Sequence, residues 1–432
     1  MVEVQAPVVL VGAFERDNFG DLLFPIVSRR YLGDAASILA TPVAASTQQM
    51  LGEQVHRYVD VVRNGAGPHP VWVVGGEVGG PHGELRHQSE FDEQEQGLSR
   101  YGQAYLPRMS ALSGTSSSVA VVNSVGLRNM SLLIGTARLE AVTALRELDY
   151  LSVRDAGSAK LLSRLGVEHR LAPDLMHSIA AHVPSRAIST DAYAVVQVNE
   201  AYLSLIGPEA LAAALAGSRH LVPLHVRLLA AGLAPGHDSI ELYEQVAREF
   251  ERQAGGRTIE VLRDNDPLAK VATIAGADLM VSTSLHCAVI STAYGVPRVA
   301  LSNEKLTHYL RTWEEPGPVD VDPDDLDDAI GQALALRGSV GEAERSRSLA
   351  QRADESARAA AAAVTAAAPD GLAGQRRAVA ATLAARSQSG RMRAADRMVP
   401  AYLHARFRGQ QISRISRNLR DRSRAWVNES RS

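Results

Sequence analysis

Residues 279–301, LMVSTSLHCAVISTAYGVPRVAL, contain three local patterns in succession. LMVS and RVAL are short, largely apolar runs typical of buried strands, and LHCAVISTAYG between them has the length of a helix that ends at a glycine. Two strands joined by a helix must run parallel, with both faces of their sheet covered. The segment therefore predicts a β-α-β unit within a parallel sheet.

Similar units lie on both sides of this segment. Strand-like runs at 7–14, 71–76, 119–126 and 150–155 alternate with helical patterns, one of which extends over 47–64. A second series begins near residue 192 and includes runs at 220–226 and 258–262. Alternation of this kind is typical of doubly wound α/β domains, which bind ligands at the carboxyl ends of their strands.

We therefore predict an α/β protein with two Rossmann-like doubly wound domains and a helical C-terminal extension. The predicted segments are 1–185 for the first domain, 190–312 for the second, 313–338 for a return helix and 340–432 for an Ala/Arg-rich helical extension. Alanine is the strongest helix former, which supports a helix in the last segment.

The composition is that of a globular protein that keeps its cysteine reduced. Cys287 is the one cysteine in the chain, so no internal disulfide can form. The N-terminal segment lacks the basic start of a secretion signal, and no stretch approaches the ~20 apolar residues of a membrane span. These features favour a cytoplasmic protein, with a peripheral position at a membrane as an alternative.

Charge is distributed unevenly along the chain. Residues 391–432 contain eleven arginines and three acidic residues, whereas the whole chain has a net charge of −3. A basic amphipathic tail could contact an anionic membrane, the body of the protein or a second subunit. Aromatic residues are sparse among its arginines, so nucleic acid is an improbable partner.

The polar step between strand and helix in the opening segment predicts an anion site. Backbone N–H groups and the positive end of the helix dipole would face the carboxyl edge of the sheet there. Ser284 could cap the helix and touch the anion, and His286 could supply a proton or a positive charge. Neighbouring helical side chains point about 100° apart, so Cys287 is expected to face the core as a small apolar residue.

A second loop with polar residues follows the first predicted strand, in GAFERDNFGD at 12–21. Asp21 could act as the N-cap or as a first-turn acid of the next helix. Asn18 and Asp21 could equally bind the hydroxyl groups of a ligand. The residues alone leave both interpretations open.

Three further strand ends contain candidate residues. GGEVGG at 75–80 places Gly75, Gly76 and Glu77 after a strand, where glycines allow tight turns or close approach of a ligand. The pattern is not the dinucleotide fingerprint GxGxxG. SVRD places Arg154 at a strand end, and LAPD places Asp174 about twenty residues later, so the two could form an ion pair.

Two more residues lie before predicted helices in the second domain. His237 precedes Asp238, and the pair could contact an anion or simply provide an aspartate N-cap beside a solvated histidine. Lys305, in LSNEKL, could hold a phosphate or be an ordinary surface lysine.

In this order, NFGD, VVGGEVGG, SVRD, APD, HD, STSLHCAVISTAYGVP and ALSNEK resemble the polysaccharide pyruvyl transferase family over roughly residues 8–310. The resemblance implies a two-Rossmann architecture like that of GT-B glycosyltransferases, with the first domain on the acceptor side and the second on the donor side. It also implies transfer of the pyruvyl group of phosphoenolpyruvate to two hydroxyls of a saccharide as a ketal, with release of phosphate. Phosphoenolpyruvate is then a co-substrate, and no cofactor is expected.

The resemblance also assigns roles to the candidate residues. His286 and Asp21 would be catalytic, and the substrate-binding set would be Asn18, Gly75, Gly76, Glu77, Arg154, His237, Ser284, Leu285 and Lys305. Many family members carry arginine where Ser284 stands, so another residue must compensate or the donor differs. The alternatives are a GT-B-type glycosyltransferase that uses a nucleotide sugar, and a catalytically idle scaffold with a basic tail. The sequence contains no HExxH, CxxC or EF-hand pattern, so we predict no metal site.

Overall fold

The computed structural model describes residues 6–42, 48–58, 60–61, 69–79, 105–107, 109, 117–185, 191–234, 236–387 and 390. Predictions about the basic segment 391–432 lie outside the described residues. Within the described part of the chain, no helix is both long and apolar enough to cross a membrane.

The first domain is built on a parallel sheet that has seven strands within the described residues, in the order β3-β2-β1-β4-β5-β6-β7. The strands are β1 (Val8–Val11), β2 (Ser37–Thr41), β3 (His56–Arg57), β4 (Val71–Val73), β5 (Ala120–Val125), β6 (Tyr150–Val153) and β7 (Arg170–Leu171). The strand order reverses between β1 and β4, so the crevice expected to bind ligands opens after Val11 and Val73.

Helices cover both faces of this sheet. They are α1 (Phe19–Leu32), α2 (Gln48–Leu51), α3 (Gly135–Arg146) and α4 (Ala156–Arg164), with 3-10 helices at Arg128–Leu132 and Leu175–Ala181. Helix α1 is largely apolar, and ten of its 14 residues are buried. It packs against the second domain as well as its own.

The second domain has a parallel sheet of six strands within the described residues, in the order β10-β9-β8-β11-β12-β13. The strands are β8 (Tyr193–Gln197), β9 (His225–Leu229), β10 (Ile259–Leu262), β11 (Leu279–Ser282), β12 (Arg298–Leu301) and β13 (Val319–Val321). The opening segment of the sequence forms the predicted β-α-β unit at the centre of this sheet. Its reversal point lies between β8 and β11.

Seven α-helices accompany this sheet within the described residues. They are α5 (Glu200–Ile206), α6 (Pro208–Gly217), α7 (Ile240–Gln253), α8 (Pro267–Ala275), α9 (Leu285–Ala293), α10 (Glu304–Thr312) and α11 (Leu326–Leu336). Residues 313–338, predicted as a return helix, instead form β13 and α11 of this domain. β13 pairs with β12, and α11 packs on α6 and β12.

The helix that returns to the first domain is α12 (Val340–Thr365), followed by α13 (Leu372–Ser387). α12 contacts β5, α1 and the 3-10 helix 175–181, and α13 packs on α3. Buried alanines line the inner face of α12, at positions such as Ala353, Ala357 and Ala360. Their small side chains allow a helix to approach a sheet closely, so the alanine-rich composition serves packing as well as helix propensity.

Two predicted elements differ from the structure. The predicted helix over 47–64 is interrupted after Leu51 by Gly52, which has a φ of +71°, and by the short strand β3. The strand predicted at 220–226 begins only at His225, because Arg219–Leu221 form a 3-10 turn.

The two domains are joined by packing and by hydrogen bonds. One continuous apolar cluster contains residues of α1, of α9 and of α12, for example Leu22, Ile290 and Val364. The Phe19 N–H donates to the Ala231 carbonyl at 2.8 Å, which connects the first turn of α1 to the loop after β9. The carboxyl edges of the two sheets therefore face each other across a cleft.

Candidate functional site

The turn between β11 and α9 is held from below by hydrogen bonds. The Ser284 N–H donates to Ser282 Oγ at 2.7 Å, and the Ser282 hydroxyl donates to Gln197 Oε1 at 3.0 Å. Ser284 Oγ accepts from the Cys287 N–H at 3.4 Å, so Ser284 is the N-cap as predicted. This bonding fixes the first turn of α9, which contains Leu285 and His286, at the edge of the cleft.

Cys287 points away from the cleft, as the helical geometry predicted. Its side chain is fully buried, and burial raises the pKa of the thiol to about 12. The thiol is therefore protonated at neutral pH and is a poor nucleophile.

His286 lies between the two domains. Its imidazole rests on the backbone of Gly20 in the first turn of α1, where a β-carbon would overlap the ring. The ring of Phe24 packs edge-on against it, with centroids 5.4 Å apart. Glycine at position 20 thus provides the space that the imidazole occupies.

The imidazole has a polar side that faces acidic residues. Nε2 lies 3.8 Å from Asp174 Oδ2 and has no hydrogen-bond partner. Burial lowers the pKa of His286 below the usual histidine value, and the carboxylates of Asp174 and Asp21 offset this only in part. The resting imidazole is therefore neutral near pH 7 and has a nitrogen available for proton transfer.

Asp174 forms the predicted ion pair with Arg154. Arg154 Nη1 lies 2.8 Å from Asp174 Oδ2, and Nη2 lies 3.4 Å from Glu77 Oε2. Burial acts to raise the pKa of Asp174, but His286 in its protonated form, the charge of Arg154 and hydrogen bonds from Met176 N–H and Arg154 outweigh it and lower the pKa. Asp174 stays ionised, and the buried Arg154 side chain is committed to two carboxylates rather than open to a ligand.

The N-terminal end of α1 supplies Asn18 and Asp21. Asn18 occupies the N-cap position and donates through Nδ2 to Asp21 Oδ2 at 2.8 Å. Arg16 Nη2 lies 3.4 Å from the same carboxylate oxygen. Asp21 is therefore a first-turn acid and not the N-cap, and its carboxylate is oriented by two donors.

The glycines after β4 bring the backbone close to these groups. A β-carbon at Gly75 would overlap the Phe24 ring, and Gly76 has a φ of +86°, which favours glycine. A β-carbon at Gly76 would lie 3.5 Å from Asp21 Oδ1. The turn also positions Glu77, whose Oε1 accepts from the Asn129 N–H at 3.2 Å.

Lys305 is in the first turn of α10, across the cleft from the first domain. Its side chain as a whole is exposed. Desolvation of the ammonium group by the surrounding protein lowers the pKa of Lys305, and the charge of Arg154 lowers it further. The charges of Glu77 and Asp21 act to raise it. Because Lys305 is exposed and also close to charged residues of the first domain, it lines the cleft between the domains.

His237 belongs to a loop of the second domain that reaches the first domain, where the Ala234 N–H donates to the Asp17 carbonyl at 3.2 Å. It is in the loop after β9, where its N–H donates to the Ala234 carbonyl and its carbonyl accepts from Glu200 N–H. The structure brings the other predicted residues together around the cleft.

Asp238 does not cap the following helix, which was one of the two roles left open for the His237–Asp238 pair. Ser239 caps α7, whereas Asp238 is buried and accepts from Gln197 Nε2 at 2.9 Å and from the Ala231 N–H at 2.6 Å. Burial raises the pKa of Asp238 to about 7, although these hydrogen bonds act to lower it. Asp238 and Gln197 together support the turn that contains Ser284.

Sequence reasoning missed four residues that contact the site or its supports, namely Arg16, Gln197, Tyr309 and Trp313. Three of them are separated by 85 residues or more from the residues they support, so no local pattern indicates the contact. Arg16 lies within the quoted loop GAFERDNFGD, and its being the one basic residue of that loop could have indicated a role at the site. Among the described residues, no cluster of three or more His, Cys, Asp or Glu side chains has the geometry of a metal site.

A comparison with protein families supports the predicted resemblance. Residues 121–305 match the model of the family described as polysaccharide pyruvyl transferase. The matched range includes Arg154, Asp174, His286 and Lys305, whereas Asn18 and the other candidates of the first 80 residues lie outside it. A comparison with curated proteins finds no match.

Solved structures match over most of the chain at low sequence identity. MnaA of S. aureus in a structure with UDP has 11% identity and a TM-score of 0.51, covering 87% of this chain and 95% of that chain. UDP-GlcNAc 2-epimerase from Neisseria meningitidis bound to UDP-GlcNAc has 10% identity and a TM-score of 0.49, covering 83% and 97%. The spinosyn rhamnosyltransferase SpnG has 13% identity and a TM-score of 0.41, covering 82% and 98%. The match to MnaA concerns the fold alone, and with the two facing sheets it confirms the predicted GT-B-like arrangement.

Proposed function

We propose that this protein transfers the pyruvyl group of phosphoenolpyruvate to a saccharide acceptor as a ketal and releases phosphate. The observation that carries the proposal is His286 Nε2, which is buried without a hydrogen-bond partner and faces Asp174 in the cleft. It belongs to the part of the chain that matches the pyruvyl transferase family. A neutral imidazole beside a fixed carboxylate is suited to accept and return a proton.

The donor is proposed to bind on the second domain. Phosphoenolpyruvate carries a phosphate and a carboxylate, which require cationic groups or N–H donors. Lys305 and the first turn of α9 supply both kinds of group, and Ser284 caps that turn. Lys305 and Arg16 are the candidate cations in the absence of an arginine at position 284.

The first chemical step follows from the neutral state of His286. The imidazole removes the proton of an acceptor hydroxyl while the oxygen of that hydroxyl bonds to C2 of phosphoenolpyruvate. A proton is delivered to C3 in the same step. The adjacent Asp174 stabilises the imidazolium formed on His286, which can be the source of that C3 proton in the same turnover. The product of this step is a tetrahedral carbon that bears the methyl, carboxylate, phosphate and sugar oxygen.

The second step closes the ketal. The C2–O bond to phosphate breaks, and phosphate leaves with the bonding electrons. A second hydroxyl of the same sugar bonds to C2 and gives up its proton to Asp21, the proposed acceptor, which passes that proton to the departing phosphate. The sum is phosphoenolpyruvate plus a diol giving a cyclic ketal plus phosphate, so atoms and charges balance.

The acceptor is proposed to bind on the first domain. Asn18, Asp21 and Glu77 present amide and carboxylate groups at the end of β1 and β4, and such groups hydrogen-bond sugar hydroxyls. Gly75 and Gly76 let the backbone approach the ligand. Arg154 is proposed as a positioning residue, since both of its charged contacts are within the protein.

Substitution of His286 tests the proposal. The wild-type protein should release phosphate from phosphoenolpyruvate in the presence of a suitable diol-containing saccharide. His286→Asn should lower kcat/KM by about 10²- to 10⁴-fold, the usual contribution of a general acid–base residue. His225→Asn, at an exposed histidine on the opposite edge of the sheet, is the matched control and should retain activity.

Two results would contradict the proposal. One is unchanged kcat/KM in His286→Asn. The other is calorimetric binding of a nucleotide sugar, with no binding of phosphoenolpyruvate, which would favour a glycosyltransferase. An idle scaffold would instead lose its role when 391–432 is deleted and keep it when His286 is replaced.

A further inference from the structure

Helix α10 reaches across the domain boundary with one face. Lys305, Tyr309 and Trp313 follow one another at intervals of four residues, the spacing that aligns side chains along a helix. Lys305 faces the cleft, while Tyr309 and Trp313 contact the first domain. The Trp313 indole N–H donates to the Arg154 carbonyl at 2.8 Å.

Tyr309 contacts Asp174, whose carboxylate faces His286. Its hydroxyl oxygen accepts from the Asp174 backbone N–H at 2.9 Å. The same hydroxyl lies 2.9 Å from His177 Nε2. Both side chains are buried, and the Tyr309 ring stacks on the His177 ring with a centroid distance of 6.1 Å.

The protonation state of Tyr309 allows its hydroxyl to accept one hydrogen bond and donate another. Burial raises the pKa of Tyr309 well above its usual value, so the phenol keeps its proton. Burial also lowers the pKa of His177, so its imidazole is neutral near pH 7 and can accept that proton at Nε2. Tyr309 therefore accepts from the Asp174 N–H, and it can donate to His177 Nε2 when the His177 proton is on Nδ1.

We infer that Tyr309 is a positioning residue, whose hydroxyl fixes the Asp174 peptide and thereby the distance from the Asp174 carboxylate to His286. The inference rests on the proposed function for its kinetic consequence, but its structural content is independent of the reaction. The Asp174 side chain has a second support from Arg154, whereas its peptide N–H depends on the hydroxyl. A buried N–H that loses its acceptor drives the peptide to move toward another one.

Loss of the Tyr309 hydroxyl should change the pKa of His286 by altering the position of a nearby charge. The charged groups around His286 are Asp174, Asp21, Arg154 and Lys305, and Asp174 is the largest influence that raises its pKa. If Asp174 moves away, the pKa of His286 falls further and the imidazolium is less stabilised. The acidic limb of the pH profile of kcat should then move to lower pH.

The experiment compares Tyr309→Phe with wild type and with Tyr294→Phe. Tyr294 is a matched control, because its hydroxyl also donates inside the fold, to the Val183 carbonyl at 2.5 Å, but away from Asp174. The titration of His286 is followed by NMR in protein with labelled histidine, and its signal among the 13 histidines is assigned by its loss in His286→Asn. Thermal melting checks that each variant is folded.

Tyr309→Phe should lower the pKa of His286 and reduce kcat about tenfold, with the KM for phosphoenolpyruvate changed less than about twofold. Tyr294→Phe should change none of these quantities. A His286 titration in Tyr309→Phe that coincides with wild type would overturn the inference. If the wild-type protein releases no phosphate, the proposed function fails, and the NMR titration still decides the role of Tyr309.

Discussion

At the scale of single residues, the candidate site depends on residue 20 being a glycine. The His286 imidazole occupies the place that a β-carbon on Gly20 would take. Protein interiors are close-packed, so an extra methyl group there cannot be absorbed without moving the ring or α1. The position of His286 is thus set by the opposite domain as much as by its own helix.

Gly20→Ala should therefore damage both stability and activity. We expect a loss of about 1–3 kcal/mol in the free energy of unfolding, measured by denaturant titration, because the core is overpacked. Displacement of the imidazole by about 1 Å should also lower phosphate release up to about 10²-fold. Gly341→Ala is the control, since Gly341 is likewise the second residue of its helix and a β-carbon there meets open space. Equal behaviour of the two variants would contradict the packing argument.

Asp238 contributes to the pH dependence of the stability of the folded protein. Its pKa of about 7 in the folded protein is above the ordinary value of 3.8, so the folded state holds a proton that the unfolded state releases. Its stabilising contribution is complete below the unfolded pKa and is lost as the pH rises to about 7. This direction is opposite to that of His286, whose lowered pKa reduces stability as the pH falls below 6.5.

The comparison of wild type with Asp238→Asn isolates this contribution. Between pH 5 and 7, wild type should lose stability relative to the variant by up to ~1.4 kcal/mol per pH unit, and above that range the difference should be constant. Chemical denaturation at several pH values measures it. Asp328→Asn, at an exposed aspartate of α11, should show no such slope. A pH-independent difference for Asp238→Asn would refute the assignment.

At the scale of elements, α12 is joined to the first sheet by a buried polar network. Ser356 Oγ donates to Asn123 Oδ1 at 2.7 Å and lies 2.9 Å from the Tyr150 hydroxyl and 3.2 Å from Ser152 Oγ. These partners are on β5 and β6. A helix that lies on a sheet mainly through alanines gains little shape specificity from its apolar side chains, so the network can determine its register.

Ser356→Ala removes the central hydroxyl of this network. It should lower the free energy of unfolding by about 1–3 kcal/mol, because buried polar groups on both strands lose a partner. Denaturant midpoints would measure the effect. Ser348→Ala, on the exposed side of the same helix, should be neutral or slightly stabilising because alanine favours helix. A network that contributes nothing would make the two variants indistinguishable.

At the scale of the whole molecule, the sequence predicted those features that depend on local chemistry. The β-α-β unit at 279–301, the Ser284 cap and the inward direction of Cys287 follow from periodicity and capping, which involve residues close in sequence. The pair of Arg154 and Asp174 followed from two strand ends. The GT-B-like arrangement followed from family resemblance and is confirmed by the fold.

Features that depend on distant contacts could not be predicted in this way. Nothing near Tyr309 indicates that it meets Asp174, and nothing near Val319 indicates an edge strand beside β12. The helix cap, one of the two roles left open for the His237–Asp238 pair, is provided by Ser239 instead. The interruption at Gly52 depended on a positive φ that the apolar pattern did not show.

The path of α12 has a consequence for synthesis of the protein on the ribosome. One face of the first sheet is covered by residues 340–365, which emerge long after the strands that they cover. The first domain thus remains with part of its apolar surface uncovered while the second domain is being made, a period in which a nascent chain is prone to aggregation. Translation speed and chaperone supply in an expression host should therefore affect the yield of folded protein.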